Sequence, residues 1–89
     1  MLTYLKAYVA VYELKSFSKA AHFLYCSQPT VSINIKKLEK ITGTTLLNRQ
    51  DYKNIVATPS GLIVYKRAKK LISDWEIALE EMKKMKSNR

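Results

Sequence analysis

The stretch SFSKAAHFLYCSQPTVS, residues 16–32, decides the fold. It predicts two short helices joined by a tight turn. Ser16 or Ser18 can cap the first helix, because a serine hydroxyl accepts a free N–H of the first turn. Ser27 can cap the second helix in the same way, and Pro29 fits a first turn, where its missing N–H costs nothing. A helix-turn-helix over about residues 18–37 follows.

Apolar spacing extends this unit in both directions. A first helix over Leu2–Leu14 places an apolar face at spacings of three and four residues, and Lys6 and Glu13 are left to solvent. Its apolar face consists of Leu2, Leu5, Val9 and Tyr12. The second helix is expected over about Ser18–Tyr25. The third continues to about Ile41 and stops at Gly43, which can adopt the left-handed conformation of a helix end.

After Gly43 the pattern changes to two short strands, at about residues 46–49 and 54–57, which predict a hairpin or wing. Thr58 and Pro59 then open a last helix that can continue to about Met85. Residues of this helix follow each other at alternating spacings of four and three, as in a coiled-coil seam. A body of fewer than 60 residues cannot cover all of that seam, so we expect its distal half to meet a second copy. The predicted dimer interface is Val64, Ala68, Leu71, Trp75, Ala78, Met82 and Met85.

Charge points to a polyanionic partner. The 89 residues hold 16 Lys+Arg against 7 Asp+Glu, which gives a formal net charge of +9. A basic excess of this size favours binding to nucleic acid. The excess is spread along the chain, since residues 1–58 and residues 59–89 each carry eight basic side chains. Charge is therefore expected to supply attraction, and uncharged residues to supply specificity.

Composition argues against several other classes of protein. No apolar run approaches the 18 residues of a membrane span, so no membrane partner is expected. The single cysteine, Cys26, can close no intramolecular disulfide and build no structural zinc site. His22 and Cys26 share a helical spacing, but no third group nearby in sequence would orient a catalytic pair. Gly43 and Gly61 form no phosphate-binding loop. We therefore expect no enzyme, no cofactor and no metal.

The residues also resemble a known family. Ser16–Ala21 followed by Leu24, then Ser27–Ser32, Ile35 and Gly43, resemble the LysR-type transcriptional regulators, and so do Leu46–Arg49 and Thr58–Gly61. The resemblance implies a mainly α winged helix-turn-helix, with a DNA-binding domain at residues 1–58 and a linker helix for dimerisation at 59–89. It implies a bacterial cytoplasmic, nucleoid-associated protein that binds an inverted repeat of double-stranded DNA as a homodimer.

Family regulators normally continue into a larger effector-binding domain, which these 89 residues do not include. A small-molecule effector is expected only through that domain, and tetramers only in a full-length protein. Two readings of the chain itself stay open, a fragment of such a regulator or a naturally short one.

Roles carry over residue by residue onto the matching positions. The expected DNA contacts lie in the recognition helix (about residues 28–41), before the second helix and in the wing. Gln28 or Asn34 can pair with adenine, and Pro29, Thr30 and Ile33 can touch thymine methyl groups. The other residues are suited to phosphates, and in the wing also to the minor groove; they are Ser16, Ser18, Ser27, Ser32, Lys36, Lys37, Arg49 and Lys53. Many family members are basic where this chain has Ile33, which predicts a preference for A·T pairs.

Two alternatives from other classes remain open at this stage. A nucleoid-type or RNA-binding protein would use the same charge without reading a sequence. A coiled-coil interaction module would use the heptad seam to recruit a partner, and its basic face would be incidental.

Overall fold

The structure, a computed structural model, describes residues 1–51 and 54–87. The first three helices are α1 (Leu2–Leu14), α2 (Phe17–Phe23) and α3 (Gln28–Thr42). The antiparallel strands β1 (Leu47–Asp51) and β2 (Asn54–Ala57) form the wing, and α4 (Pro59–Ser87) follows it. The predicted mainly α winged helix-turn-helix with a long last helix is confirmed.

α1 lies at the centre of the core, because it packs against α2, α3, α4 and β2. Its buried residues are Leu5, Ala7, Tyr8, Val9, Ala10 and Val11. Leu5 and Val9 of the predicted apolar face are buried and Leu2 and Tyr12 are half-buried, but burial also extends to residues outside that face. A helix surrounded on several sides buries small residues outside one stripe, and here Ala7 and Ala10 permit the close approach. Lys6 and Glu13 are exposed, as predicted.

α2 is held at both ends by local chemistry. Ser16 is its N-cap, and the Ser16 hydroxyl accepts the Lys19 N–H at 3.0 Å. The helix ends at Phe23, two residues earlier than predicted, because Tyr25 adopts a left-handed φ of 56°. Ala20 and Ala21 are buried between the helices.

α3 begins and ends as the sequence predicts. Ser27 caps it and accepts the Thr30 N–H at 3.3 Å, and Gly43 ends it with a φ of 74°. Its apolar side buries Val31, Ile35 and Leu38. Full burial of each such side chain contributes roughly 1.5–3 kcal/mol. The opposite side of α3 is thereby held outward.

The wing is joined to α3 by Glu39. Its carboxylate accepts the backbone N–H of Leu46 at 2.7 Å and lies 3.5 Å from that of Leu47. β1 starts one residue later and ends two residues later than predicted. Between Arg49 and Asp51 the pairing advances two residues in β1 but one in β2, so the ladder contains a bulge at Gln50.

The wing base, α1 and α4 meet around Leu46. Its carbonyl accepts the Tyr8 hydroxyl at 3.0 Å and the Thr58 N–H at 3.1 Å. Burial, the main cause, raises the pKa of Tyr8 to about 12. A Cβ added at Gly61 would overlap both the Leu46 carbonyl and the Tyr8 hydroxyl, so only glycine fits there. Thr58 caps α4 as predicted, since its hydroxyl accepts the Gly61 N–H at 3.0 Å.

Candidate nucleic-acid interface

The outward side of α3 carries most of the predicted DNA contacts. Successive helix residues are separated by about 100° around the axis, so positions 29, 33 and 36 lie opposite the buried Val31, Ile35 and Leu38. The predicted contacts that are exposed on α3 are Gln28, Pro29, Thr30, Ile33, Lys36 and Lys37. Ser32 and Asn34 are half-buried at the flanks. The structure thus brings these residues to one helix, and by this spacing Gln28 and Asn34 are turned furthest from the outward direction.

The start of α3 has its hydroxyl groups partly engaged. Ser27 and Thr30 share a hydrogen bond of 2.9 Å between their hydroxyl oxygens, and the Ser27 oxygen also accepts the Thr30 N–H. One of the two hydroxyl hydrogens is used in their mutual bond. The other stays available to an outside acceptor such as a phosphate oxygen. Both residues are exposed, so the capping pair is presented at the surface.

The start of α2 contributes a second pair of serines. The Ser16 oxygen acts as acceptor for the helix cap, which leaves its hydroxyl hydrogen free to donate outward. Ser18 is exposed in the first turn. The role predicted for both, phosphate contact, fits these positions and stays a prediction.

Basic side chains extend along the outward side of α3. Lys36 and Lys37 are exposed, and the Lys37 ammonium lies 5.8 Å from the centre of the Tyr4 ring. Lys40 is also exposed, one turn after Lys36, and sequence reasoning did not select it. Its four-residue spacing from Lys36 was the available signal. We add Lys40 to the candidate phosphate contacts.

The wing contacts cannot be placed in the same way. The side chain of Arg49 and the whole of Lys53 lie outside the described part of the chain. Glu39 accepts backbone N–H groups at the wing base.

The seam of α4 divides into two parts. Ala68 is 1% exposed and belongs to the chain's own core, and Val64 packs partly against that core. These two residues of the predicted interface therefore face α1 and the body. Ala78 is half-buried. Leu71, Trp75, Met82 and Met85 are exposed at 46–74% and remain candidates for contact with a second copy.

The sequence places His22 and Cys26 at a spacing that a catalytic pair could use. His22 is exposed and Cys26 is a half-buried free thiol. Within residues 1–51 and 54–87, no three His, Cys, Asp or Glu side chains lie together as metal ligands would. In the same ranges, no helix is long and apolar enough to cross a membrane.

Comparison with known families gives one clear match. Residues 2–62 match the family described as bacterial regulatory helix-turn-helix protein, lysR family. Among curated proteins, the regulator CysL of Bacillus subtilis is 49% identical over 78 residues, which is 88% of this chain and 26% of CysL. The regulator BenM of Acinetobacter baylyi is 37% identical over 86 residues, 97% of this chain and 28% of BenM. The chain thus spans about a quarter of the length of these relatives.

Solved structures agree with that match. The DNA-binding domain of BenM in complex with benA site 1 DNA has a TM-score of 0.89 and 36% identity, over 100% of this chain and 99% of that one. DarR of Vibrio fischeri in complex with DNA has a TM-score of 0.88 and 26% identity, over 98% of this chain and 30% of that one. The same backbone arrangement therefore occurs in proteins crystallised on DNA.

Proposed function

Since the chain belongs to the LysR family of bacterial regulatory helix-turn-helix proteins, we propose that it is a sequence-specific DNA-binding domain of a transcriptional regulator. α3 enters the major groove with Gln28 near its leading end, and the wing lies against adjacent backbone or the minor groove. The observation that carries this proposal is the outward side of α3. It is exposed and carries Lys36, Lys37 and Lys40 over a fully buried apolar side, and the fold is the one found in DNA complexes.

We assign base contacts and phosphate contacts to different residues. Gln28 is exposed at the first residue of α3 and has the amide that pairs bidentately with adenine. Pro29 and Ile33 lie on the outward side and offer apolar contact to thymine methyl groups. The phosphate contacts are Ser16, Ser18, Ser27, Ser32, Lys36, Lys37 and Lys40, with Arg49 and Lys53 from the wing. Asn34 is the weaker candidate reader, because it is half-buried at the flank.

The domain is proposed to act as a homodimer through the distal part of α4. Leu71, Trp75, Met82 and Met85 form an exposed apolar row, and soluble monomers rarely expose such rows without a partner. A groove of about 580 Å³ beside this row, between α4 and the start of α1, is lined by Leu2, Leu5 and Trp75 among others. It extends the apolar surface toward α1. Ala68 and Val64 take no direct part, because they pack on the body.

Three further proposals follow from membership of a regulator family. The chain has no catalytic activity, its partner is double-stranded DNA in the bacterial cytoplasm, and any response to a small-molecule effector belongs to a further domain of the kind found in family regulators. The charge of +9 and the DNA-bound structures of similar fold support the choice of partner.

A competition mobility shift tests the function. The protein is bound to short duplexes recovered from a random pool, and bulk DNA is added at about 150 mM salt, where non-specific binding is weak. We expect at least one duplex to stay bound when bulk DNA is in large excess. If every duplex is displaced as readily as bulk DNA, the non-specific nucleic-acid-binding alternative replaces the proposal. If no duplex binds at all, the coiled-coil interaction module replaces the proposal.

A further inference from the structure

Glu13 connects the body to the last helix. It lies at the end of α1, and its Oε2 accepts two hydrogen bonds from α4, from the Tyr65 hydroxyl at 2.6 Å and the Lys69 ammonium at 2.8 Å. These bonds span 52 and 56 residues of sequence. Mutual hydrogen bonding lowers the pKa of Glu13 and raises the pKa of Tyr65 and of Lys69, so the three groups interact as one unit.

Aromatic packing reinforces the same junction. The rings of Tyr12 and Tyr65 stack with their centres 3.8 Å apart and their planes 14° from parallel. The Lys15 ammonium lies 4.5 Å from the centre of the Tyr12 ring. Together with Glu13 and Lys69, these side chains form the α1–α4 clasp, defined as Tyr12, Glu13, Lys15, Tyr65 and Lys69.

The clasp adds a polar constraint on the direction of α4 to the apolar packing beneath it. Beneath it, α4 contacts the body through Ala68, which is buried, and through Val64 and Ile72, which are half-buried against the core. A carboxylate bonded to two donors one turn apart, at 65 and 69, constrains the rolling and tilting of α4. The exposure of Lys69 and Glu13 (53% and 40% of the side chains) keeps the contribution to overall stability small. Its effect is on the angle between α4 and the body.

A small change in the angle of α4 at the clasp produces a larger displacement at the far end of the helix. The 18 steps of the helix from Lys69 to Ser87 extend about 27 Å at 1.5 Å per residue. A tilt of about 10° at the clasp therefore displaces the end of the helix by about 5 Å. One base pair adds about 3.4 Å between half-sites and rotates one against the other by about 35°. A modest change at the clasp thus equals a change of about one base pair in the distance between two recognition helices.

We propose that the Glu13–Tyr65–Lys69 group is a specificity-determining device, which fixes the angle of α4 and so sets the half-site spacing that the dimer accepts. Its residues are positioning residues, since they act through their bonds to one another. This inference rests on the proposed function, because spacing has meaning only for a dimer bound to two half-sites.

The test measures affinity for a panel of duplexes that share one recovered inverted repeat and differ in spacer length by single base pairs. Each protein is scored by the ratio of its affinity for the preferred spacer to that for its neighbours, so changes in net charge cancel. Glu13→Lys and Lys69→Glu each place like charges at the junction. We expect each to reduce the ratio about two- to fivefold, as the loss of an exposed ion pair permits. The double variant restores opposite charges and is expected to recover most of the ratio.

Matched variants separate the clasp from charge or folding effects. Glu76→Gln removes a carboxylate from an exposed position of α4 outside the clasp and is expected to leave the ratio unchanged. Tyr65→Phe keeps the ring stack and removes one bond to Glu13, so an intermediate ratio is expected. Circular dichroism confirms that each variant is folded.

The outcomes distinguish the two proposals. If the wild-type protein shows no preference for any spacer length, the proposed homodimer on an inverted repeat is overturned, and with it this inference. If the wild-type protein prefers one spacer length and both single variants keep that preference, only the role proposed for the clasp is overturned. Single variants that lose the preference with no recovery in the double variant also overturn it, because the ion pair would then not be the coupling element.

Discussion

Gln28 and Lys37 are both exposed on α3 and are expected to contact different parts of the duplex. An amide at the start of the helix can read a base edge, whereas an ammonium on a flexible chain neutralises a phosphate. The distinction has measurable consequences for sequence dependence and for salt dependence.

Gln28→Ala should relax base preference at one position in each half-site, at a cost of roughly 1–3 kcal/mol on the preferred duplex. The loss arises because alanine cannot replace the bidentate amide. Affinities for duplexes that carry each of the four bases at every half-site position measure it. Unchanged preference at every position would remove Gln28 from the base readers.

Lys37→Ala is the matched variant on the same helix. It should weaken preferred and random duplexes alike and reduce the slope of log affinity against log salt by about one. Titrations at several salt concentrations give the slope. A selective loss on the preferred duplex would show that Lys37 reads sequence, contrary to its assignment.

Tyr8 ties α1 to the wing base, and its behaviour should depend on pH. Because burial favours the neutral phenol and raises the pKa of Tyr8 to about 12, its contribution to stability is complete below pH 10 and is lost between pH 10 and about 12. Tyr8→Phe should lower the free energy of unfolding by about 1–3 kcal/mol at neutral pH, since the Leu46 carbonyl loses a buried donor. The variant should also lose less stability than the normal protein over that alkaline interval. Urea unfolding at pH 7.5 and 11 measures both effects, and equal losses on going from pH 7.5 to 11 would contradict this account of Tyr8.

At the scale of elements, capping and turn residues made most of the fold predictable. Ser27, Gly43 and Thr58 end or begin helices where the sequence indicated, because the chemistry of a helix terminus is local. The limits of α2 and the buried side of α1 were not predictable in the same way. They depend on the backbone at Tyr25 and on neighbours distant in sequence.

The candidate site was predictable to a similar degree and for a related reason. Polar residues on α3 could be selected from periodicity, which also could have included Lys40. The clasp could not, because Glu13 and Tyr65 are 52 residues apart and nothing local pairs them. The division of the α4 seam at Ala68 likewise depends on how α1 lies against it.

Tyr25 allows a test of the helix-turn-helix turn itself. It is 97% exposed and holds a left-handed φ of 56°, which strains a residue with a Cβ. Tyr25→Gly should raise the free energy of unfolding by about 0.5–1 kcal/mol, because glycine adopts this conformation without strain. Tyr25→Ala is the control, since it removes the ring but keeps the Cβ, and no gain is expected. Thermal or urea unfolding compares them, and an equal gain in both would show that the exposed ring rather than the backbone was responsible.

At the scale of the whole molecule, the two glutamates of the body hold its junctions. Glu39 joins α3 to the wing base, and Glu13 joins α1 to α4. Both carboxylates accept hydrogen bonds from the protein itself. The chain has a net charge of +9, which favours a polyanionic partner. The fold thus keeps the outward side of α3 free of carboxylates, apart from the flank position of Glu39.

The exposed row on α4 predicts the assembly. Trp75→Glu should convert dimers to monomers, because a carboxylate at a 47% exposed tryptophan of the row would be buried without a partner on association. Sedimentation equilibrium measures the mass. Ser73→Glu adds the same charge at an exposed position outside the row and should leave the dimer intact. An unchanged mass for Trp75→Glu would place the interface elsewhere.

Selection of bound duplexes from a random pool tests the central claim most directly, because one experiment reports specificity, symmetry and spacing together. The pool is bound at about 150 mM salt, recovered, amplified and sequenced over several rounds. We predict enrichment of two half-sites in inverted orientation at one fixed separation, with A·T pairs prominent in each half-site. Recovered duplexes that share no sequence, although they bind, would contradict a sequence-specific DNA-binding domain.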